Sequence, residues 1–298
     1  MKRLACGLVA AAALQATAAA PVAPADGVTL RVPAIVAWSG VPAAAGDGTT
    51  AQMLYPAPTP LLGLVAVLTH GALLGGARAA EESRRQKEAD RALDAYRPAL
   101  SDWSPRALLD AALEQPGLPA VRVADDAGSA GGASRWVVES TPSFSMFPDQ
   151  TRLLLDNRVR MVDAGNPAAA PFELLLRVLS NPRGEAGAFP VDDGAALLKQ
   201  ESARLFAHSI DLALQVGRRS RGEAADEPPF RTHRYLDGAL EGMERGQLVG
   251  SGCARIVIRT LRGALLSAPV RAAADADAAR AAACAAQPYR VAADAGGS

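Results

Sequence analysis

The chain has 298 residues, and its 31 Lys+Arg and 31 Asp+Glu give a formal net charge of zero. This length allows one large or two ordinary domains with a sizeable core. The balanced charge provides no overall field that would attract nucleic acid, so no nucleic-acid partner is expected. A hydrophobic content of 49% excludes disorder of the whole chain.

The N-terminus has the three parts of a secretory signal peptide. Met1–Arg3 is basic, Leu4–Leu14 is apolar, and Ala16–Ala18 is an A-x-A cleavage pattern. Only five residues precede Cys6 and most of the apolar stretch follows it, which is the reverse of a lipoprotein signal. Residues 1–18 are therefore predicted to be a signal peptide, and the mature protein is expected to be exported, periplasmic or envelope-associated.

Two cysteines, Cys253 and Cys284, remain after the signal peptide. An even pair in an oxidising compartment favours a disulfide, and the alternative is two unpaired small apolar side chains. Three histidines and no C-x-x-C pair give no metal-ligand spacing. We expect a Cys253–Cys284 disulfide, no metal and no cofactor.

Residues 19–52 are rich in Ala, Gly and Pro, which predicts an extended arm. The arm contains one β-like run, Val28–Val36, followed by Trp38 as a candidate anchor.

Residues 53–98 predict one helical segment that is first apolar and then charged. The uncharged run Leu61–Ala77 is at the lower length limit for a membrane span, and its glycines and His70 reduce its hydrophobicity. A helix packed against the core or a partner is therefore favoured, and a membrane anchor is the alternative. The candidate partner or membrane contacts are Leu61, Leu64, Leu68 and His70. The charged continuation Ala79–Tyr96 predicts a solvated helix with an i,i+4 pair of Glu81 and Arg85.

Residues 99–270 predict an α+β domain, and residues 271–298 a low-complexity tail. Ser104 and Pro105 predict the start of a short helix. Short β-like runs predict an antiparallel meander. These runs are Val121–Ala124, Arg135–Glu139, Thr151–Leu155, Arg158–Val162 and Glu173–Ser180.

A longer helix is predicted from Asp192 or Asp193 to Gly217, with an apolar stripe at helical spacing. Phe230–Leu236 predicts a strand, and Leu265–Val270 a short further run. Gly250–Ala264 is compatible with a strand or a helix, and the helix is preferred. The predicted fold class is α+β, with an antiparallel sheet packed by helices.

The common phosphate, dinucleotide, zinc-protease, hydrolase and calcium motifs are absent from the sequence. His208 shares a predicted helix face with Glu201 and Asp211, which is typical of a solvated face. His233 is expected to be exposed on a strand, and the Gly250–Gly252 triplet is one residue short of a nucleophile elbow on each side. No catalytic residue is therefore assigned.

Three stretches resemble uncharacterised exported proteobacterial proteins. They are Tyr55–Pro58 with the apolar run after it, the charged helix that ends at Tyr96–Pro98, and Leu261–Pro269. The likeness covers about half the chain and implies export without implying an activity.

The expected function is a non-catalytic binding or structural component of the cell envelope, with an envelope protein or membrane surface as partner. The alternatives are a protein anchored in the membrane by Leu61–Ala77 and a hydrolase that no motif reveals. The sequence does not distinguish oligomeric states.

Overall fold

The computed structural model describes residues 27–42, 80–119, 121–124, 134–166, 168–183, 188–219, 228–238, 240–271, 289 and 292–293. The predicted signal peptide, the Leu61–Ala77 segment with its candidate contacts Leu61, Leu64, Leu68 and His70, and Cys284 lie outside these residues. Within the described part of the chain, no helix is both long and apolar enough to cross a membrane.

The described strands form one 11-stranded sheet. The strands are β1 Gly27–Arg31, β2 Ala37–Gly40, β3 Arg122–Ala124, β4 Ser134–Met146, β5 Leu153–Asp163, β6 Phe172–Leu179, β7 Arg231–Asp237, β8 Leu240–Gly252, β9 Arg255–Thr260, β10 Leu265–Pro269 and β11 Ala292–Ala293. The strand order is β11-β8-β9-β10-β6-β5-β4-β1-β3. In addition, β2 pairs with β4, and β7 pairs with β8.

The α+β class is confirmed, but the sheet is larger than predicted and is mixed rather than purely antiparallel. Four of the five predicted runs lie in the antiparallel centre, β4-β5-β6, whereas the run Val121–Ala124 contains β3, which pairs in parallel with β1. The strand pairs β1–β3, β1–β4, β2–β4 and β6–β10 are parallel. Parallel pairing joins segments far apart in the chain, so the local hydrophobic pattern does not reveal it.

Four helices and one 3₁₀ turn accompany the sheet in the described ranges. They are α1 (residues 80–90), the 3₁₀ turn Arg91–Leu93, α2 Arg97–Ser101, α3 Pro105–Leu113 and α4 Asp192–Arg219. The predicted start of α3 is confirmed, because the Ser104 hydroxyl accepts the Ala107 N–H at 3.1 Å.

The longest helix, α4, packs on β5 and β6 and on α3. Asp193, Gly194 and Ala195 have positive φ angles of 53°, 63° and 57°, so the right-handed helix begins after them. The predicted stripe of α4 is buried as expected. Its members are Leu198, Ser202, Leu205, Ser209, Leu212 and Val216.

Two described parts of the predicted arm, β1 and β2, are strands of the sheet. β1 and β2 lie one after the other along the same edge of β4, with Thr29 opposite Val137 and Trp38 opposite Phe144. The predicted anchoring by Trp38 is confirmed, because its ring stacks on Phe144 with centroids 4.7 Å apart.

The preference for a helix over Gly250–Ala264 is wrong. This stretch contains the end of β8 and all of β9, joined by a tight turn at Cys253 and Ala254, whose φ angles are 47° and 57°. Positive φ at both central residues is typical of a type I′ hairpin turn. The stretch Arg255–Thr260 is a strand because it pairs with β10. The hydrophobic pattern of one segment contains no information about its partner strand.

The prediction of two separate runs, Thr151–Leu155 and Arg158–Val162, is also wrong, because β5 continues through Asp156 and Asn157. Asp156 receives two hydrogen bonds from Arg177 at 2.8 Å, on one face of the sheet. On the other face, the Asn157 amide donates to Ser209 Oγ of α4 at 2.9 Å. Partners on neighbouring elements therefore allow two residues that usually favour turns to lie inside a strand.

Candidate functional site: a buried polar cluster and a surface groove

A group of six polar, charged and aromatic side chains lies between α4 and the sheet, and we name it the Arg255 cluster. Its members are Asn181, Glu201, His208, Arg255, Ser267 and Tyr289. Glu201 and His208 are on one face of α4, seven positions apart. Arg255 begins β9, and Ser267 lies on the neighbouring strand β10. Six side chains from five parts of the chain therefore meet at one place.

Arg255 is the centre of the cluster and is 1% exposed. Its Nη2 donates to the carbonyl oxygens of Leu179 at 2.7 Å and Ser267 at 3.0 Å, and its Nη1 donates to Asn181 Oδ1 at 2.8 Å. Burial lowers the pKa of Arg255 to about 10. The guanidinium therefore stays charged at neutral pH, and its hydrogen bonds offset part of the cost of removing that charge from water.

Tyr289 covers this cation. The Arg255 Cζ lies 4.4 Å from the centroid of the tyrosine ring, within the range of a cation–π contact. The phenol donates a hydrogen bond to Glu201 Oε1 and accepts the Asn181 N–H at 3.3 Å. Burial, together with the nearby Glu201 carboxylate, raises the pKa of Tyr289 well above its usual value. A neutral phenol thus lies between the guanidinium and the carboxylate.

His208 is 6% exposed, so the prediction of a solvated histidine is wrong. Its Nε2 lies 2.9 Å from Ser267 Oγ, and its ring centroid is 5.5 Å from that of Tyr289. Burial and the Arg255 charge lower the pKa of His208 well below its usual value. The imidazole is therefore neutral at neutral pH. Tyr289 is remote in sequence, so a helical wheel cannot show that it covers this face.

The Ser267–His208 contact has the geometry of a nucleophile beside a base. However, Ser267 is 0% exposed, and Arg255 Nε donates to the same Oγ at 3.3 Å. A nucleophile must reach its substrate, and in this arrangement Tyr289, α4 and the sheet enclose the hydroxyl. The arrangement therefore acts as a polar core that holds α4, β9, β10 and the C-terminal segment together.

A groove of about 590 Å³ runs along α1. It is lined by Glu81, Arg84, Arg85, Glu88, Ala89, Arg91, Ala92, Pro148 and Gln150. The predicted Glu81–Arg85 pair is confirmed at 2.8 Å, and Arg84 also contacts Glu81 at 2.8 Å. Hydrogen bonds from Arg84 and Arg85 lower the pKa of Glu81 to about 2. The groove thus offers fixed charges of both signs beside a short apolar floor.

The remaining candidate residues are in different places. His233 is half-buried rather than exposed, and its Nε2 donates to the Gly246 carbonyl at 3.2 Å. Ser251 is exposed near the end of β8, so the triplet Gly250–Gly252 is a strand end and not a helix entry. Among the described residues, no three His, Cys, Asp or Glu side chains are grouped to hold a metal ion.

Neither Arg255 nor Tyr289 is among the candidate residues predicted from the sequence. Side chains alternate along a strand, so Arg255 lies on the same face as Val257, which is 1% exposed. If this stretch had been predicted as a strand, Arg255 would have been predicted to be a buried charge. Tyr289 is an aromatic residue in a tail of Ala and Asp, and this contrast in composition is the signal that could have identified it.

The fold and the cluster define an α+β protein with a mixed sheet and a buried ionic centre. Comparison with known proteins gives no match: no protein-family model fits the chain, and neither a curated protein nor a solved structure is significantly similar to it. The interpretation of both sites therefore depends on their own geometry.

Proposed function

We propose that this protein is an exported component of the cell envelope that binds a partner and has no catalytic activity. The observation that carries the proposal is the burial of Ser267, which is 0% exposed although it lies 2.9 Å from a histidine nitrogen. A hydroxyl that no solvent reaches does not attack a substrate. The cluster is better suited to stabilising the fold.

The α1 groove supports a binding role. It lies on α1, whose described residues 80–90 follow the apolar segment Leu61–Ala77 in the sequence. The segment is expected to supply the apolar part of the contact through Leu61, Leu64, Leu68 and His70. The groove would add ionic contacts of Arg84, Arg85 and Glu88 beside it. Ionic contacts at the rim of an apolar interface determine orientation and the rate of association more than affinity.

A hydrolase is the second candidate, because the Ser267–His208 distance favours it. A hydrolase of this kind would require Tyr289 to leave the cluster before substrate could enter. The two functions therefore differ in how strongly they depend on Ser267.

The test compares Ser267→Ala with Leu64→Asp in the native host. We expect cells with the Ser267→Ala variant to keep the wild-type phenotype and the envelope complexes of this protein. Cells with Leu64→Asp should lose both, although circular dichroism shows that the variant protein is folded. Leu64→Ile is the matched control, because it keeps an apolar side chain of the same size. Loss of the phenotype in Ser267→Ala, with fold and complexes intact, would establish the hydrolase instead.

Export and anchoring are tested on the same wild-type protein. Intact mass of the envelope-fraction protein should correspond to cleavage after Ala18. Alkaline carbonate should release it from the membrane. A mass that includes residues 1–18 would contradict export by a cleaved signal, and retention in the carbonate pellet would favour the anchored alternative.

A further inference from the structure

The C-terminal segment returns to the sheet after β10. Tyr289 is 7% exposed within the Arg255 cluster. A few residues later, β11 pairs antiparallel with β8, with Ala292 opposite Ser251 and Ala293 opposite Gly250. The segment is thus held by one deeply placed side chain and one short strand pairing, which are the two parts of peptide recognition by strand addition.

The contacts of Tyr289 select a phenol over other side chains. Its hydroxyl donates to Glu201 and accepts from the Asn181 N–H, so both hydrogen-bonding functions of the oxygen are used. Its ring faces the Arg255 guanidinium on one side and approaches His208 on another. A phenylalanine would keep the cation–π contact but leave the Glu201 carboxylate oxygen and the Asn181 N–H without this partner.

The pairing position on β8 suits an extended peptide. β7 pairs with β8 as far as Gly246, and β11 pairs farther along β8, at Gly250 and Ser251. Glycine and serine at the edge present backbone groups with little side-chain obstruction. Strand edges of this kind accept a further strand through main-chain hydrogen bonds.

We propose that the edge of β8 and the pocket between Glu201 and Arg255 form a recognition site for an extended peptide that carries a tyrosine three residues before two small residues. The chain's own Tyr289 and Ala292–Ala293 occupy this site in the structure. An extended segment of the same pattern, from a partner, exchanges with them. This site is separate from the α1 groove, and the proposal does not depend on the function assigned to that groove.

Attachment in the same chain gives the resident segment an effective concentration of millimolar order. A free peptide must overcome this advantage, so weakening the resident tyrosine should strengthen peptide binding. Tyr289→Phe does this with a minimal change, since it keeps the ring and removes only the hydroxyl.

The experiment uses the full chain and a fluorescent peptide with the sequence of residues 287–294. Fluorescence anisotropy measures its binding to the wild type, to Tyr289→Phe and to Tyr96→Phe. Tyr96→Phe is the matched control, because it removes another buried phenol hydroxyl, which donates to the Phe189 carbonyl at 2.6 Å. We expect Tyr289→Phe to bind the peptide about tenfold more tightly than the wild type does, and Tyr96→Phe to bind it like the wild type.

A second peptide, with phenylalanine in place of tyrosine, tests the phenol pocket directly. It should bind Tyr289→Phe about tenfold more weakly than the tyrosine peptide does. Equal affinity of the Tyr289→Phe protein for the two peptides would overturn the proposal. So would the absence of binding between this protein and the tyrosine peptide at a peptide concentration of about 10 mM, because this concentration exceeds the effective concentration of the resident segment.

Discussion

The guanidinium of Arg255 lies against the ring of Tyr289, with 4.4 Å between Cζ and the ring centroid. Through this contact a residue of the C-terminal segment closes a polar cluster whose other members belong to α4, β9, β10 and the segment after β6. The contact explains how an arginine at 1% exposure retains its charge, because aromatic and hydrogen-bonding partners replace the water it has lost.

Substitution of Arg255 by methionine should lower the free energy of unfolding by about 3–5 kcal/mol. The change leaves the Leu179 and Ser267 carbonyls without this donor and removes a positive charge that interacts with the Glu201 carboxylate. Urea unfolding measures the effect.

The matched control for Arg255→Met is Arg234→Met. Arg234 pairs with Glu241 at 3.1 Å, but its side chain is 70% exposed. Surface ion pairs of this kind contribute little to stability, so the free energy of unfolding should fall by less than about 1 kcal/mol. Similar losses in the two variants would contradict the central role assigned to Arg255.

Stability should decrease with acid through His208. Its pKa is lowered in the folded state, so below the usual value of 6.5 the unfolded chain binds a proton that the folded protein does not. The contribution of His208 is therefore fully present above pH 6.5 and decreases as the pH falls toward the folded pKa. The slope is about 1.4 kcal/mol per pH unit at most.

The measurement compares unfolding free energies between pH 7.5 and pH 5 for the wild type and for His208→Gln. The variant should have the shallower pH dependence, because glutamine does not titrate. His233→Gln serves as the control, since His233 is only half-buried. If the unfolding free energy of His208→Gln changed with pH as steeply as that of the wild type, His208 would not be the source of the loss of stability in acid.

The disulfide between Cys253 and Cys284 remains a prediction. Cys253 lies in the β8–β9 turn, and the pairing of β11 with β8 brings the later part of the C-terminal segment to the same end of β8. A closed loop of about 31 residues would stabilise the fold by roughly 3–4 kcal/mol.

Peptide mapping without reductant should recover the two cysteines in one linked peptide. Cys284→Ser is the better variant for the stability measurement, because Cys253 occupies a turn position with φ of 47° where substitution has a separate backbone effect. Recovery of both thiols unlinked from envelope protein would exclude the disulfide.

Replacement of Gly246 by alanine tests the β8–β9 pairing. An added Cβ would lie 2.3 Å from Ile258 Cγ2 and 2.4 Å from the Arg259 carbonyl oxygen, so two paired strands would have to separate. The expected loss of unfolding free energy is about 2–3 kcal/mol, as for other overpacked sites.

Gly165→Ala is the control for Gly246→Ala, because an added Cβ there would meet only Asp163 Oδ1, at 3.3 Å. Its expected effect is within about 0.5 kcal/mol. Equal stability of the two variants would contradict the close approach of β9 to β8.

The elements with a local pattern could be predicted from the amino-acid sequence. The stripe of α4 from Leu198 to Val216 follows the helical period, and the capping of α3 by Ser104 needs only neighbouring residues. Helical period and capping depend on contacts within a few positions, so one segment contains all the information they require.

Tertiary structure alone decided the parts that depend on distant partners. β9 is a strand because β8 and β10 lie on either side of it, and β5 continues through Asp156 and Asn157 because Arg177 and Ser209 provide hydrogen bonds. His208 is buried between α4 and the sheet, where it contacts Ser267 of β10 and approaches the ring of Tyr289. Hydrogen bonding and burial of this kind are properties of assembled elements, and the charge of Arg255 is stable in the core only after that assembly is complete.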